Sequence, residues 1–167
     1  MMSRNVMPPF RIEPFTIDHR AWAERFMNAA WGSLRIVSRG QVYYALDYPG
    51  FVGLVADQPE GLILYRIEGK QCEVLLLHSM AEGVGIGAAL VDAVKRHAEE
   101  SNCRRLWLIT TNDNIHAFRW YQRRGFTIAA VHVNALAESR ELKPEIPLIG
   151  FDEIPLRDEI EFEMMLG

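Results

Sequence analysis

Two features of this chain could do chemistry: a glycine-rich turn and a helix that carries a tyrosine. The turn has Gly83, Gly85 and Gly87 at alternate positions ahead of a helical pattern, and Tyr121 lies in a second helical pattern that begins at Asn114. Backbone N–H groups at a helix N-terminus bind phosphate, and glycine lets the anion approach the backbone closely. A positioned phenol can donate a proton. Together these features predict group transfer from a phosphate-bearing carrier.

The elements that position these features follow from the hydrophobic pattern. Three strands linked by hairpin turns are predicted over residues 51–57, 61–67 and 72–79. The turns are expected at 58–61 and 68–71. A helix with an apolar face of Ile86, Leu90, Val94 and Ala98 comes next, followed by a strand at 105–110. Because such a connection forms a right-handed crossover, the strands on either side of this helix should run parallel.

The rest of the chain gives weaker patterns. Asp18 is a good N-cap for a helix that ends near residue 31, and the aromatic, acidic stretch 41–50 is expected to be irregular. The last strand alternates apolar residues with the carboxylates Glu159, Glu161 and Glu163, which therefore share one face. Further strands are predicted at 11–16, 35–38 and 126–133, and a proline-containing loop at 143–147.

Composition limits the class of protein. At 167 residues and 49% hydrophobic, the chain has the size of one globular domain over residues 1–167, with residues 1–9 as a flexible leader. A net charge of −4 argues against nucleic acid as a partner. Cys72 and Cys103 lack the spacing of a metal site, so no metal is expected. No segment approaches the roughly 20 apolar residues of a membrane helix, and no signal peptide is apparent, so we expect a cytoplasmic protein.

The glycine turn also satisfies the dinucleotide fingerprint GxGxxA, which raises the alternative of a Rossmann fold. Two observations disfavour that alternative. Three hairpin-linked strands precede the turn, whereas a Rossmann unit usually opens its domain. The carboxylate expected about 20 residues further on, for the ribose, is also missing, because the next strand ends in Thr110, Thr111 and Asn112.

With the second helix added, the pattern resembles the GNAT superfamily of acyl-CoA-dependent N-acetyltransferases. The family motif Gln/Arg-x-x-Gly-x-Gly/Ala falls on residues 82–87, and Asn-x-x-Ala-x-x-x-Tyr-x-x-x-Gly-Phe falls on residues 114–126 in register. The resemblance implies an α/β fold of three layers. Its mixed, mostly antiparallel sheet would have six to seven strands, splayed between two central parallel strands, with helices on both faces.

The resemblance also implies how acetyl-CoA, as co-substrate, would be bound. Its pantetheine arm would lie in the gap between the parallel strands, where the backbone N–H of Leu77 would polarise the thioester carbonyl. One departure stands out, because Glu82 replaces the usual Arg or Gln and places a negative charge beside the pyrophosphate. The residues implied in cofactor binding are Leu77, Glu82, Gly83, Val84, Gly85, Ile86, Gly87, Ala88, Asn114 and Tyr121.

For catalysis, the motif position assigns Tyr121 as the donor of a proton to the departing thiolate, although a core aromatic is the alternative. Glu73 is the candidate general base, because strand alternation would place it on the same face as Leu77. An exposed charge at a strand start is the alternative for Glu73. His78 is expected to be a packed histidine on the opposite face. Asn114 is expected to cap its helix first.

The acceptor is expected to be a primary amine on a small molecule or a peptide, bound near Tyr44, Asp47 and Glu73. The sequence thus predicts an N-acetyltransferase that acts by direct transfer in a ternary complex. A non-catalytic acyl-CoA-binding module is the alternative function. Exposed strand edges are compatible with a homodimer.

Overall fold

The computed structural model describes residues 9–80 and 83–167 of the chain. The expected leader, apart from its last residue, and Glu82 lie outside the described residues. The four helices in the described part are α1 (Arg20–Trp31), α2 (Ile86–Glu100), α3 (Ile115–Arg123) and α4 (Ala135–Leu142). The strands are β1 (Phe10–Pro14), β2 (Arg35–Ser38), β3 (Gln41–Tyr44), β4 (Gly50–Val55), β5 (Gln58–Glu68), β6 (Gln71–Ser79), β7 (Arg105–Thr111), β8 (Thr127–His132) and β9 (Glu159–Met165).

Seven strands form one mixed sheet in the order β1-β4-β5-β6-β7-β9-β8, while β2 and β3 form a separate hairpin. Among the strands of the described residues, only β6 and β7 pair in parallel, as the crossover through α2 predicts. Their register ends at Val74 and Leu108, although β6 continues to Ser79 and β7 to Thr111. The sheet therefore opens between its two parallel strands, which confirms the predicted fold.

Each face of the sheet has its own hydrophobic core. One core contains α2 and α3, and the predicted apolar face of α2 is fully buried in it, with Ile86, Leu90, Val94 and Ala98 at 0% exposure. Burial of one large aliphatic side chain stabilises a fold by about 1.5–3 kcal/mol. The other core contains α1 and the β2–β3 hairpin. No helix in the described residues is long and apolar enough to cross a membrane.

Three local predictions were wrong. The β4–β5 turn is at Ala56 and Asp57, both with positive φ, instead of at 58–61. Asp18 lies inside a short 3-10 turn, and the N-cap of α1 is His19. The segment predicted to be irregular forms β3, which pairs with β2, and a 3-10 turn. In each case, pairing or a local turn outweighs the residue preferences on which the prediction depended.

Candidate active site

The open edge of β6 presents backbone donors to the gap between the parallel strands. Met80 N–H donates to Glu60 O on β5 at 2.7 Å. In the same antiparallel register, His78 pairs with Leu62 and Leu77 pairs with Ile63. Because N–H groups alternate in direction along an antiparallel strand, Leu77 N–H points away from β5. The structure thus directs Leu77 N–H into the gap, where the family resemblance implies a role for it as an oxyanion donor.

The glycine turn lies at the N-terminus of α2. Gly85 is the N-cap with φ +90°, Gly83 has φ +75°, and a Cβ built on Gly83 would meet nothing within 4 Å. The carbonyl of Gly85 accepts from Ala89 N–H at 3.1 Å, in the first turn of the helix. The N–H groups ahead of that bond have no acceptor within the helix. This geometry leaves both room and donors for an anion.

Helix α3 holds Tyr121 against the same core. Asn114 Oδ1 accepts from Ala117 N–H at 3.1 Å, so the predicted N-cap is confirmed. The side chain of Tyr121 is 9% exposed, and its ring packs edge-on against Trp120 and Phe126. Burial raises the pKa of Tyr121 above its ordinary value. The phenol is therefore protonated at neutral pH, as a proton donor must be.

Trp120 is a residue that the sequence analysis missed. A Cβ on Gly87 would approach the Trp120 ring to 3.4 Å, so this glycine lets α2 pass close to α3. The guanidinium of Arg124 lies 3.5 Å from the centre of the same ring. Trp120 thereby ties the glycine turn to the helix that carries Tyr121. The only signal in the sequence was its position next to Tyr121.

A β-bulge in β6 changes which side chains share a face. The β5–β6 register shifts at Leu64 and Tyr65, so Leu75 and Leu76 both pack toward α1, while Leu77 packs toward α2. The prediction that Glu73 shares a face with Leu77 was therefore wrong. Glu73 faces the β2–β3 hairpin, where Ser38 Oγ donates to it.

His78 is also on the α1 face, since its ring packs between Phe26 at 4.7 Å and Trp31 at 5.3 Å. It shares this face with Glu73, so the prediction of opposite faces was wrong for the same reason. The prediction that His78 is a packed residue holds. Burial lowers the pKa of His78.

Each oxygen of the Glu73 carboxylate accepts a short hydrogen bond. Ser38 Oγ donates to one oxygen at 2.6 Å and Arg66 Nε to the other at 2.7 Å, and the residue is 2% exposed. A base must reach the amine proton directly or through one water, whereas both oxygens of Glu73 are held by these donors. The assignment of Glu73 as base stays a prediction, but its present partners favour a structural role.

A cavity of about 100 Å³ lies at the start of the gap, on the face of the hairpin. Neither Tyr44, which is 60% exposed, nor the exposed Asp47 lines it. Their role in acceptor binding stays a prediction. The lining residues are Ile36, Val37, Ser38, Val74, Leu75, Ile109, Thr110, Thr111, Leu136 and Glu159.

Comparison with known proteins places this geometry in a family. The model of the acetyltransferase (GNAT) family matches residues 16–126. The chain belongs to this family. It is 39% identical over 142 residues to the uncharacterized protein YdhI of Bacillus subtilis strain 168, covering 84% of this chain and 89% of YdhI.

Two further proteins are similar to this chain. A spermine/spermidine N(1)-acetyltransferase of Bacillus subtilis strain 168 is 34% identical over 92 residues, which are 51% of this chain and 56% of that protein. A Bacillus subtilis acetyltransferase solved in complex with CoA superposes with a TM-score of 0.67 at 17% identity, covering 95% of this chain and all of the other. The second likeness shows a shared fold.

In this GNAT chain, the glutamates of β9 do not form one free acidic face. Arg105 donates hydrogen bonds to both Glu161 and Glu163 at 2.5 Å, so these two carboxylates share a close cation. Glu159 differs, because it is 2% exposed and lines the cavity. Within residues 9–80 and 83–167, no group of His, Cys, Asp and Glu side chains is arranged to hold a metal ion.

Gly85→Ala is expected to raise the Kd for acetyl-CoA about tenfold, equivalent to about 1.4 kcal/mol. The added Cβ strains a backbone at φ +90° and takes space beside the anion site. Calorimetric titration measures this Kd. Gly69→Ala is the matched control, because Gly69 also has positive φ, +58°, but lies in the β5–β6 turn at the other end of β6. An equal loss in both variants would contradict the assignment of the phosphate site.

Proposed function

We propose that this protein transfers an acetyl group from acetyl-CoA to a primary amine, by direct transfer in a ternary complex. The observation that carries this proposal is the opening between β6 and β7, with Leu77 N–H directed into it. A backbone donor held in this way can bind the carbonyl oxygen more strongly as negative charge develops on it. The glycine turn of α2 would hold the pyrophosphate near one face of the sheet.

The two faces of the sheet suit the two substrates. The glycine turn and Tyr121 belong to the α2 and α3 face, whereas the cavity is lined by residues of the hairpin and α4. Acetyl-CoA would reach the gap from the first face and the amine from the second. Glu73, the predicted base, would take the proton of the amine through water, the neutral nitrogen would attack the thioester carbon, and Tyr121 would protonate the departing thiolate. Such an approach from both faces supports direct transfer without an acyl-enzyme.

The acceptor class follows from the cavity and from one relative. An alkylamine with a pKa near 10.4 is a cation at neutral pH, so a buried carboxylate in the cavity favours it. A relative named as a spermine/spermidine N(1)-acetyltransferase supports an amine on a small molecule. A primary amine on a peptide, instead of on a small molecule, belongs to the same acceptor class.

The proposal is tested by calorimetric titration with acetyl-CoA and, in parallel, with NADH. We expect binding of acetyl-CoA alone, followed by CoA release when a panel of primary amines is added. Binding of acetyl-CoA without turnover on any amine would favour the alternative, a non-catalytic acyl-CoA-binding module. Binding of NADH alone would overturn the assignment of the carrier.

We further propose a cytoplasmic location and a homodimer. Cys72 and Cys103 are both free thiols in the structure, as is usual in a reducing compartment. The outer strands β1 and β8 leave open edges at which a second copy could pair.

A further inference from the structure

Two buried glutamates face the hairpin side of the gap, and their environments differ. The carboxylate of Glu73 accepts a short hydrogen bond from the cation Arg66, through Nε at 2.7 Å. It accepts a second one from Ser38 Oγ at 2.6 Å. Glu159 has no partner of this quality among the described residues. Since both side chains are 2% exposed, the contrast lies in charge compensation rather than in burial.

The contacts of Glu159 are few and weak. Ser139 Oγ lies 3.0 Å from Oε1, but the same hydroxyl is also 3.2 Å from Ala135 O and has one proton to donate. Arg39 N–H reaches Oε2 at 3.4 Å, and Arg39 Nη1 is 3.8 Å away on a side chain that is 40% exposed. An ion pair at that distance, with one member in solvent, contributes little.

A buried carboxylate without a close cation is costly, because its charge has lost the stabilisation of water. Glu159 lines the cavity at the gap, beside Thr110 and Thr111. A cation placed in that cavity would restore the missing compensation. The loosely held guanidinium of Arg39, at the tip of the hairpin, is the group that such a cation would displace.

We propose that Glu159 binds the ammonium group of the acceptor in place of Arg39, which makes unbranched primary alkylamines the substrate class. The proposal rests on the proposed function and deepens it. The cavity of about 100 Å³ limits the acceptor to a small group, and a short alkyl chain is of that size. Its remaining walls are mostly aliphatic and suit a methylene chain.

The test measures binding of n-butylammonium chloride by NMR titration, with 1-butanol as the uncharged probe of the same shape. We expect the wild-type protein to bind the cation and not the alcohol. Glu159→Gln keeps the shape and removes the charge, so the Kd should rise at least tenfold. Arg39→Gln removes the competing guanidinium, so the Kd should fall about threefold. Opposite signs for two neighbouring substitutions are not explained by a general loss of structure.

Glu163→Gln is the matched control, because Glu163 lies on the same face of β9 but pairs with Arg105. Its Kd for n-butylammonium should stay within twofold of wild type. The inference is overturned if wild type does not bind the cation, if Glu159→Gln binds it equally well, or if Arg39→Gln binds it more weakly.

Steady-state kinetics separate this inference from the proposed function. In Glu159→Gln, the KM for n-butylamine should rise at least tenfold, while the KM for acetyl-CoA stays within twofold. If the cation binds with the expected pattern but no variant releases CoA, the proposed function fails and the cation site stands. If CoA is released but the KM for n-butylamine does not respond to Glu159→Gln, the inference fails and the proposed function stands.

Discussion

Tyr121→Phe is expected to lower kcat for acetyl transfer about 100-fold, while the Kd for acetyl-CoA stays within twofold of wild type. The substitution removes only the phenolic hydroxyl and keeps the ring that packs against Trp120 and Phe126. The thiolate would then leave without a donor. Release of CoA gives kcat, and calorimetry gives the Kd. A variant that keeps its kcat would show that Tyr121 is only a core aromatic.

Tyr65→Phe is the control for this prediction. Tyr65 is also buried, at 5% exposure, and burial also raises its pKa. Its ring, however, packs against Phe51 of β4 and His97 of α2. Removal of its hydroxyl should leave kcat within twofold.

Because burial raises the pKa of Tyr121, the acid form persists to higher pH than for an exposed phenol, so any loss of rate from its ionisation should begin above about pH 10.

Features that depend on local pattern could be predicted from the sequence. The buried face of α2 follows from apolar residues at helical spacing, and the cap of α3 follows from Asn114 ahead of such a pattern. The parallel pairing of β6 and β7 follows from the length of the connection between them. Each of these conclusions needs only residues that are close along the chain.

Features that depend on pairing between distant segments could not be predicted. The bulge at Leu75 changes the phase of β6, and it is visible only in the register with β5. That single residue separates Glu73 from the face of Leu77. The cavity likewise joins the hairpin tip at Ser38 to β9 at Glu159, which are far apart in sequence. Helix α4, which supplies Ser139, was not predicted at all.

Arg66→Met is expected to lower the free energy of unfolding by about 3 kcal/mol, because it leaves Glu73 buried without its cation. Arg66 also stacks over Tyr43 at 4.9 Å, and the methionine keeps part of that apolar contact. Urea denaturation measures the change. A loss below about 1 kcal/mol would mean that water compensates the carboxylate when the guanidinium is removed.

Glu73→Gln in the Arg66→Met background decides what Glu73 does. If the carboxylate is structural, the double variant should recover part of the lost stability, since its second substitution removes the unpaired charge, and the two effects should be non-additive. The single variant Glu73→Gln should then keep kcat within about fivefold, because general-base catalysis is typically worth 100-fold or more. A 100-fold loss of kcat with little loss of stability would instead establish Glu73 as the base, and its bonds to Arg66 and Ser38 would then have to open during turnover.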